Sequence, residues 1–200
     1  YVFSRTKKIE NTSNIPEEIV ISYSNGDPIK INGQILNPYE ILKKLNSFGF
    51  EHGIGRVDMV ENRFIGMKSR GVYETPGGTI LYHAHRAIES ITLDRKTAHK
   101  KDHIVSKYAE LIYNGFWFSK EREQLQEIVD TNQKNVNGDV KLKLFKGNVF
   151  VLGRKSKNSL YDLSKVSFEN NEQKDQKFAD DFIKSQLLKI KSLQLKKNLK

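Results

Sequence analysis

The chain has 200 residues, 37% of them hydrophobic and 29% charged, enough for one globular domain with a sizeable core. It has no cysteine, which excludes disulfides, thiolate metal ligands and a cysteine nucleophile, and which suits a reducing, cytoplasmic setting. The net charge is +10, but six lysines and no acid follow Asp181, so +6 of it sits in the last nineteen residues; that is the pattern of a solvated helix face more than of a nucleic-acid site.

The chain opens on Tyr1 rather than methionine, without a charged-then-apolar leader, and so reads as a piece of something longer. Residues 1–18 are polar and poorly patterned, an extended linker entering the domain. Ile19, Ile21 and Tyr23 alternate with Val20, Ser22 and Ser24, as in a half-buried strand. Asn25-Gly26 then turns the chain, Ile29 and Ile31 suit a return strand, and Asn32-Gly33 makes a second turn. Asn37, Pro38 and Glu40 have the spacing of a helix start, with a cap, a first-turn proline and a carboxylate able to reach back to the cap N–H. Ile41, Leu42, Leu45 and Phe48 form that helix's inner face, and Gly49 stops it. Residues 51–56 form a loop. Its Gly53-Ile54-Gly55 lacks a third glycine at the dinucleotide spacing and precedes a strand, which favours a tight turn over a nucleotide cradle.

The stretch from 60 to 86 organises the rest. A short strand over 57–60 leads into a polar loop with Glu61, Asn62, Arg63, Lys68, Ser69, Arg70, Tyr73 and Glu74. Thr75 can cap the next helix, and Pro76 fits its first position. Ile80, Ala84, Ala87, Ile88 and Ile91 then lie on one helix face. So many charged and hydrogen-bonding groups between two apolar elements mark a site carried on a rigid scaffold. Gly77 and Gly78 could offer free N–H groups to an anion or could serve close packing.

Beyond this helix a shorter one is expected over 106–113, ending near Gly115. The adjacent aromatics Phe116, Trp117 and Phe118 could stack on bases, but core anchoring suits their differing directions better. Ser119 caps a helix with Leu125, Ile128 and Val129 inward. Val140, Leu142 and Leu144 alternate with Lys141, Lys143 and Phe145; Lys146-Gly147-Asn148 turns, and 149–152 returns as a second strand. Residues 154–176 are loop-rich, and a last helix over 180–195 carries Ile183, Leu187, Ile190 and Leu188 as a narrow apolar stripe. This order does not alternate β and α, so the fold class is α+β, with short strands and hairpins in a mainly antiparallel sheet packed against helices. No apolar run approaches the roughly 20 residues of a membrane span, and no membrane association is expected.

Histidine offers no strong signal. His83 and His85 point about 200° apart on a helix and cannot share a metal. His52, His99 and His103 are unclustered, so no metal site is expected. Glu61 is more informative. At the end of an apolar strand its carboxylate needs a cationic partner, either Arg63, Lys68 or Arg70 within the protein or the ammonium group of an amino-acid ligand.

The 60–86 stretch resembles the central block of the argininosuccinate synthases, ligases that join citrulline to aspartate with ATP. The likeness continues through Ala109-Glu110-Leu111-Ile112-Tyr113-Asn114-Gly115, Leu144-Phe145-Lys146-Gly147-Asn148-Val149 and Asn158-Ser159-Leu160-Tyr161, in one order from about Ile19 to Lys191. It covers only the C-terminal half of that family, without the nucleotide-binding half and its phosphate loop. The resemblance implies a linker over 1–18, a catalytic and multimerisation domain over 19–176, and a C-terminal oligomerisation helix over 177–200 that projects onto a neighbouring subunit of a homotetramer. It implies that Glu61 and Tyr73 bind citrulline; Lys68 and Arg70 are candidate anion contacts without a family role, and no catalytic residue is assigned. It further implies that ATP, with Mg2+, and most aspartate contacts belong to the missing half, so that this piece alone is inactive in arginine biosynthesis. Two other readings stay open, an inactive stand-alone oligomerisation module and a basic nucleic-acid-binding domain whose binding would fall steeply with salt.

Overall fold

The computed structural model describes residues 2–162, 180–185, 187, 188 and 191. The chain divides into two compact units, Tyr1–Leu160 and Tyr161–Lys200. The first unit is α+β. Strands β1 (Glu17–Ser24), β2 (Asp27–Ile31), β3 (Gln34–Ile35), β6 (Gly138–Phe145) and β7 (Asn148–Lys155) form one antiparallel sheet in the order β3-β2-β1-β6-β7. Between them in sequence come α1 (Pro38–Glu51), the separate hairpin of β4 (Arg56–Asn62) and β5 (Lys68–Glu74), α2 (Pro76–Thr92), α3 (Arg95–Tyr113) and α4 (Lys120–Gln133).

The sheet's inner face follows from period-two alternation. Ile19, Ile21 and Tyr23 on β1 and Val140, Leu142 and Leu144 on β6 are buried, and β1 pairs with β6 in the register Ile19↔Leu142 and Ile21↔Val140. Ile41 and Leu45 of α1 and Ile80, Ala84, Ala87 and Ile88 of α2 close the core over that face. Asn25 and Gly26, at φ 50° and 84°, turn β1 into β2 with the left-handed pair that a tight hairpin requires. Asn37 and Glu40 form the expected capping box, the Asn37 side chain accepting from Glu40 N at 2.9 Å and the Glu40 carboxylate from Asn37 N at 3.0 Å.

Several expectations are corrected. Gly49 does not stop α1, which runs on to Glu51; Gly49 lies buried where α1 meets the start of α2, and a Cβ there would sit 2.5 Å from Pro76 Cβ. Leu42 is 44% exposed and not part of the inner face. The polar loop after residue 60 is a hairpin, because β4 runs on through Asn62 and pairs antiparallel with β5. Thr75 sits at the cap position of α2 without capping it, its hydroxyl lying 3.3 Å from that of Thr79. The short helix expected over 106–113 is the end of the 19-residue α3, which Asp94 starts by accepting from Lys96 N and Thr97 N. Phe116, Trp117 and Phe118 are exposed in this chain, not core anchors.

The close approach at Gly49 gives a first expected result. Alanine favours a helix interior over glycine by about 1 kcal/mol, whereas overpacking a tight contact costs about 1–3 kcal/mol. Gly49→Ala should therefore lower the stability of this chain by about 1 kcal/mol net in urea denaturation, against the helix-propensity trend. A stabilised variant would mean that α1 and α2 separate freely there.

Residues 180–185, 187, 188 and 191 of the second unit are helical, with Phe182, Ile183, Leu187 and Leu188 exposed. Ile190 and the segment 163–179, on which part of the expected oligomerisation helix and its approach fall, lie outside the described residues. Among the described residues, no helix is long and apolar enough to cross a membrane.

Candidate functional site

The β4–β5 hairpin is fixed at its root and exposed along its length. At the root, Thr75 N donates to Gly55 O at 2.8 Å, and Pro76 is buried against Gly49. Gly53 and Gly55 both take positive φ around the fully buried Ile54, so this glycine pair serves a backbone turn. Residues 4–7 clamp the same end. The Glu74 carboxylate accepts from Ser4 N (2.8 Å), Arg5 N (2.9 Å) and Thr6 Oγ1 (2.5 Å). Arg56, which faces Glu74 across the ladder, donates from Nε to Thr6 Oγ1 at 2.8 Å and from Nη2 to the carbonyls of Thr6 and Lys7. Burial pushes the Glu74 carboxyl up, but these three donors and the Arg56 charge more than offset it and hold it below its ordinary value. The N-terminal segment is thus docked on the domain, with Thr6 and Thr12 buried.

The register Val57↔Tyr73, Met59↔Gly71, Glu61↔Ser69 runs without a bulge, so strand alternation puts Val57, Met59, Glu61, Ser69, Gly71 and Tyr73 on one face. On this face Tyr73 Oη donates to Glu61 Oε1 at 2.7 Å. The structure therefore brings together the two residues singled out from the sequence, twelve positions apart. The bond raises the Tyr73 phenol above its ordinary value, because losing the proton would break it; partial desolvation and the Glu61 charge act in the same direction. Among the described residues, Tyr73 is the hydrogen-bond partner of the Glu61 carboxylate, through Oε1, and Oε2 accepts from none.

Lys68 and Arg70 belong to the opposite face of the hairpin. Arg70 is held by Asp58 in a two-pronged ion pair, Nε to Oδ1 at 2.8 Å and Nη2 to Oδ2 at 2.6 Å, which holds the Asp58 carboxyl below its usual range. Lys68 is exposed. Neither joins the Glu61–Tyr73 pair. At the start of α2, Gly77 N donates to Asn46 Oδ1 at 2.9 Å, so this N–H is engaged by the protein.

A second polar cluster lies under α2 and is built inward. Glu89 Oε2 meets Lys101 Nζ at 2.5 Å, and Gln133 Nε2 donates to Glu89 Oε1 at 2.9 Å. His85 Nε2 lies 2.9 Å from Gln133 Oε1, and burial pushes its imidazole below the ordinary value despite the nearby Glu89 charge. The Tyr23 phenol, buried beside it, is raised by burial first and by the Glu89 charge second. The charged and amide groups of this cluster satisfy one another, which marks it as joining α2, α3 and the end of α4. The sequence carries no signal for it beyond two charged residues at otherwise ordinary helix positions.

Comparison with known proteins bears on the hairpin face. Residues 1–193 match the family model described as the arginosuccinate synthase C-terminal domain. The chain is similar to the argininosuccinate synthase of a Nitratiruptor species, 60% identical over 185 residues that cover 92% of this chain and 46% of the relative. It is 56% identical over 198 residues to that of Ehrlichia ruminantium (strain Welgevonden), covering 98% of this chain and 49% of the relative. It is 54% identical over 192 residues to that of Pelagibacter ubique, covering 96% of this chain and 49% of the relative. The chain spans about half the length of the curated relatives it matches.

Proposed function

The chain belongs to the arginosuccinate synthase C-terminal domain family, and from that premise we propose that the Glu61–Tyr73 face of its hairpin forms one wall of the citrulline site of an argininosuccinate synthase. The observation that carries this reading is the 2.7 Å bond from Tyr73 Oη to Glu61 Oε1 on an exposed face. One carboxylate oxygen is held by the phenol, which leaves the other to accept from the α-ammonium group of an amino acid. A phenol adds a donor without adding charge, which suits a neutral zwitterion better than a second cation would.

In the proposed reaction the ureido oxygen of citrulline attacks the α-phosphate of ATP and pyrophosphate leaves; the aspartate amine then displaces AMP to give argininosuccinate. This domain's part is positioning, since holding the amino-acid end fixes where the ureido group lies. ATP, Mg2+ and most aspartate contacts are assigned to the nucleotide-binding part of the ligase, because this chain has no glycine-rich phosphate loop and its Gly77 N–H is engaged by Asn46. The exposed Ile183 and Leu187 suit contact with a neighbouring subunit of a homotetramer. Incubated alone with citrulline, aspartate, ATP and Mg2+, this chain should release no AMP. AMP release that depends on both amino acids would contradict the division of labour.

A further inference from the structure

We propose that Gly71 is a positioning residue for the Glu61–Tyr73 pair, its missing Cβ letting the Tyr73 ring lie flat along β5 so that the hydroxyl reaches Glu61. The proposal rests on the citrulline reading for its functional half and on geometry alone for its structural half.

Tyr73 stands opposite Val57, whereas Glu61 stands opposite Ser69, four residues further along the hairpin. Each residue of a strand advances about 3.3 Å, so the phenol can cross this offset only by running along its own strand, over position 71. The space it uses is the space a side chain at 71 would fill. A Cβ built on Gly71 would lie 2.4 Å from Tyr73 Cε2, 2.7 Å from Cζ and 2.7 Å from Oη, far inside the roughly 3.5–4.0 Å of an unstrained carbon contact. The backbone gives glycine no other reason to be there, since Gly71 does not adopt the left-handed φ that marks the turn glycines. Glycine within a strand weakens it, and close approach of another group is a common reason for keeping one.

The clash would involve the far end of an exposed side chain, not backbone, so it can be relieved by swinging Tyr73 away. Gly71→Ala should therefore leave the fold intact while uncoupling Tyr73 from Glu61. Any larger residue at 71 should do the same.

The test has two arms. In this chain, with 13C-labelled tyrosine and the Tyr73 signal assigned through Tyr73→Phe, a pH titration should show the phenol ionising above its ordinary range in the parent and back toward that range in Gly71→Ala. A Tyr73 phenol that stays raised in Gly71→Ala overturns the proposal. In a full-length argininosuccinate synthase carrying this domain, Gly71→Ala should weaken citrulline about three- to tenfold, the usual worth of one neutral hydrogen bond, and should add nothing to the loss caused by Tyr73→Phe. If Tyr73→Phe weakens citrulline and Gly71→Ala does not, the positioning role falls. If neither does while the phenol shifts, the citrulline reading falls and the geometric claim stands. Should Gly71→Ala not fold, Gly71→Ala with Tyr73→Ala decides: recovery of the fold traces the clash to the Tyr73 ring as proposed, and failure to recover overturns it.

Discussion

Replacing Lys101 by methionine should lower the unfolding free energy of this chain by about 3–5 kcal/mol, the range for breaking a buried ion pair from one side. Glu89 and Lys101 are 4% and 7% exposed, so neither charge has water to fall back on. The carboxylate holds Lys101 Nζ at 2.5 Å with one oxygen and Gln133 Nε2 at 2.9 Å with the other. Methionine keeps the length of the aliphatic stem and removes the ammonium group, leaving a buried carboxylate with Gln133 as its hydrogen-bond donor and His85 Nδ1 further off, 3.6 Å from Oε1. Arg86 Nη1, at 3.9 Å from Glu89 Oε2, is already bound to Asp102 at 2.7 Å and compensates weakly. Adding Glu89→Gln to Lys101→Met should recover most of the loss, because the neutral amide can still accept from Gln133. Urea denaturation of the three variants checks this. A loss below about 1 kcal/mol for Lys101→Met would place the pair with screened surface bridges instead.

What is legible in the sequence follows from where one face of an element is buried. The alternation of Ile19, Ile21 and Tyr23, and of Val140, Leu142 and Leu144, is enough to identify two strands of one sheet, and the capping residues Asn37 and Glu40 locate the start of α1. The β4–β5 hairpin is hidden for the opposite reason. Val57, Met59, Val60, Phe64, Met67 and Tyr73 are all exposed in this chain, so apolar residues occur on both faces and no period-two contrast arises. The first half of α3 is hidden because lysines and histidines crowd it; Lys101 and Leu111 are its buried residues. Gly49 misleads because a helix glycine reads locally as a stop, whereas its reason lies 27 residues away at Pro76. At the site, Glu61 stands out as a carboxylate at a strand end, but its link to Tyr73 comes through family resemblance. The path of the Tyr73 ring over Gly71 is a matter of side-chain placement that no spacing rule encodes.

The proposed recognition of the citrulline ammonium group by Glu61 is open to a direct test. Glu61→Gln keeps the shape of the side chain and can still accept from Tyr73, so the hairpin should be undisturbed. What it removes is the charge that makes the bond to an ammonium strong. A charge-assisted hydrogen bond is worth about 1.5–3 kcal/mol, which corresponds to roughly a 10- to 150-fold rise in Kd. ATP, assigned to another part of the ligase, should not be affected. The direct measurement is calorimetric titration of citrulline and of ATP into a full-length argininosuccinate synthase carrying this domain, with and without Glu61→Gln. Citrulline binding should weaken by that factor while ATP binding stays unchanged. Equal losses for both ligands, or unchanged citrulline binding, would contradict it and leave Glu61 a structural partner of Tyr73.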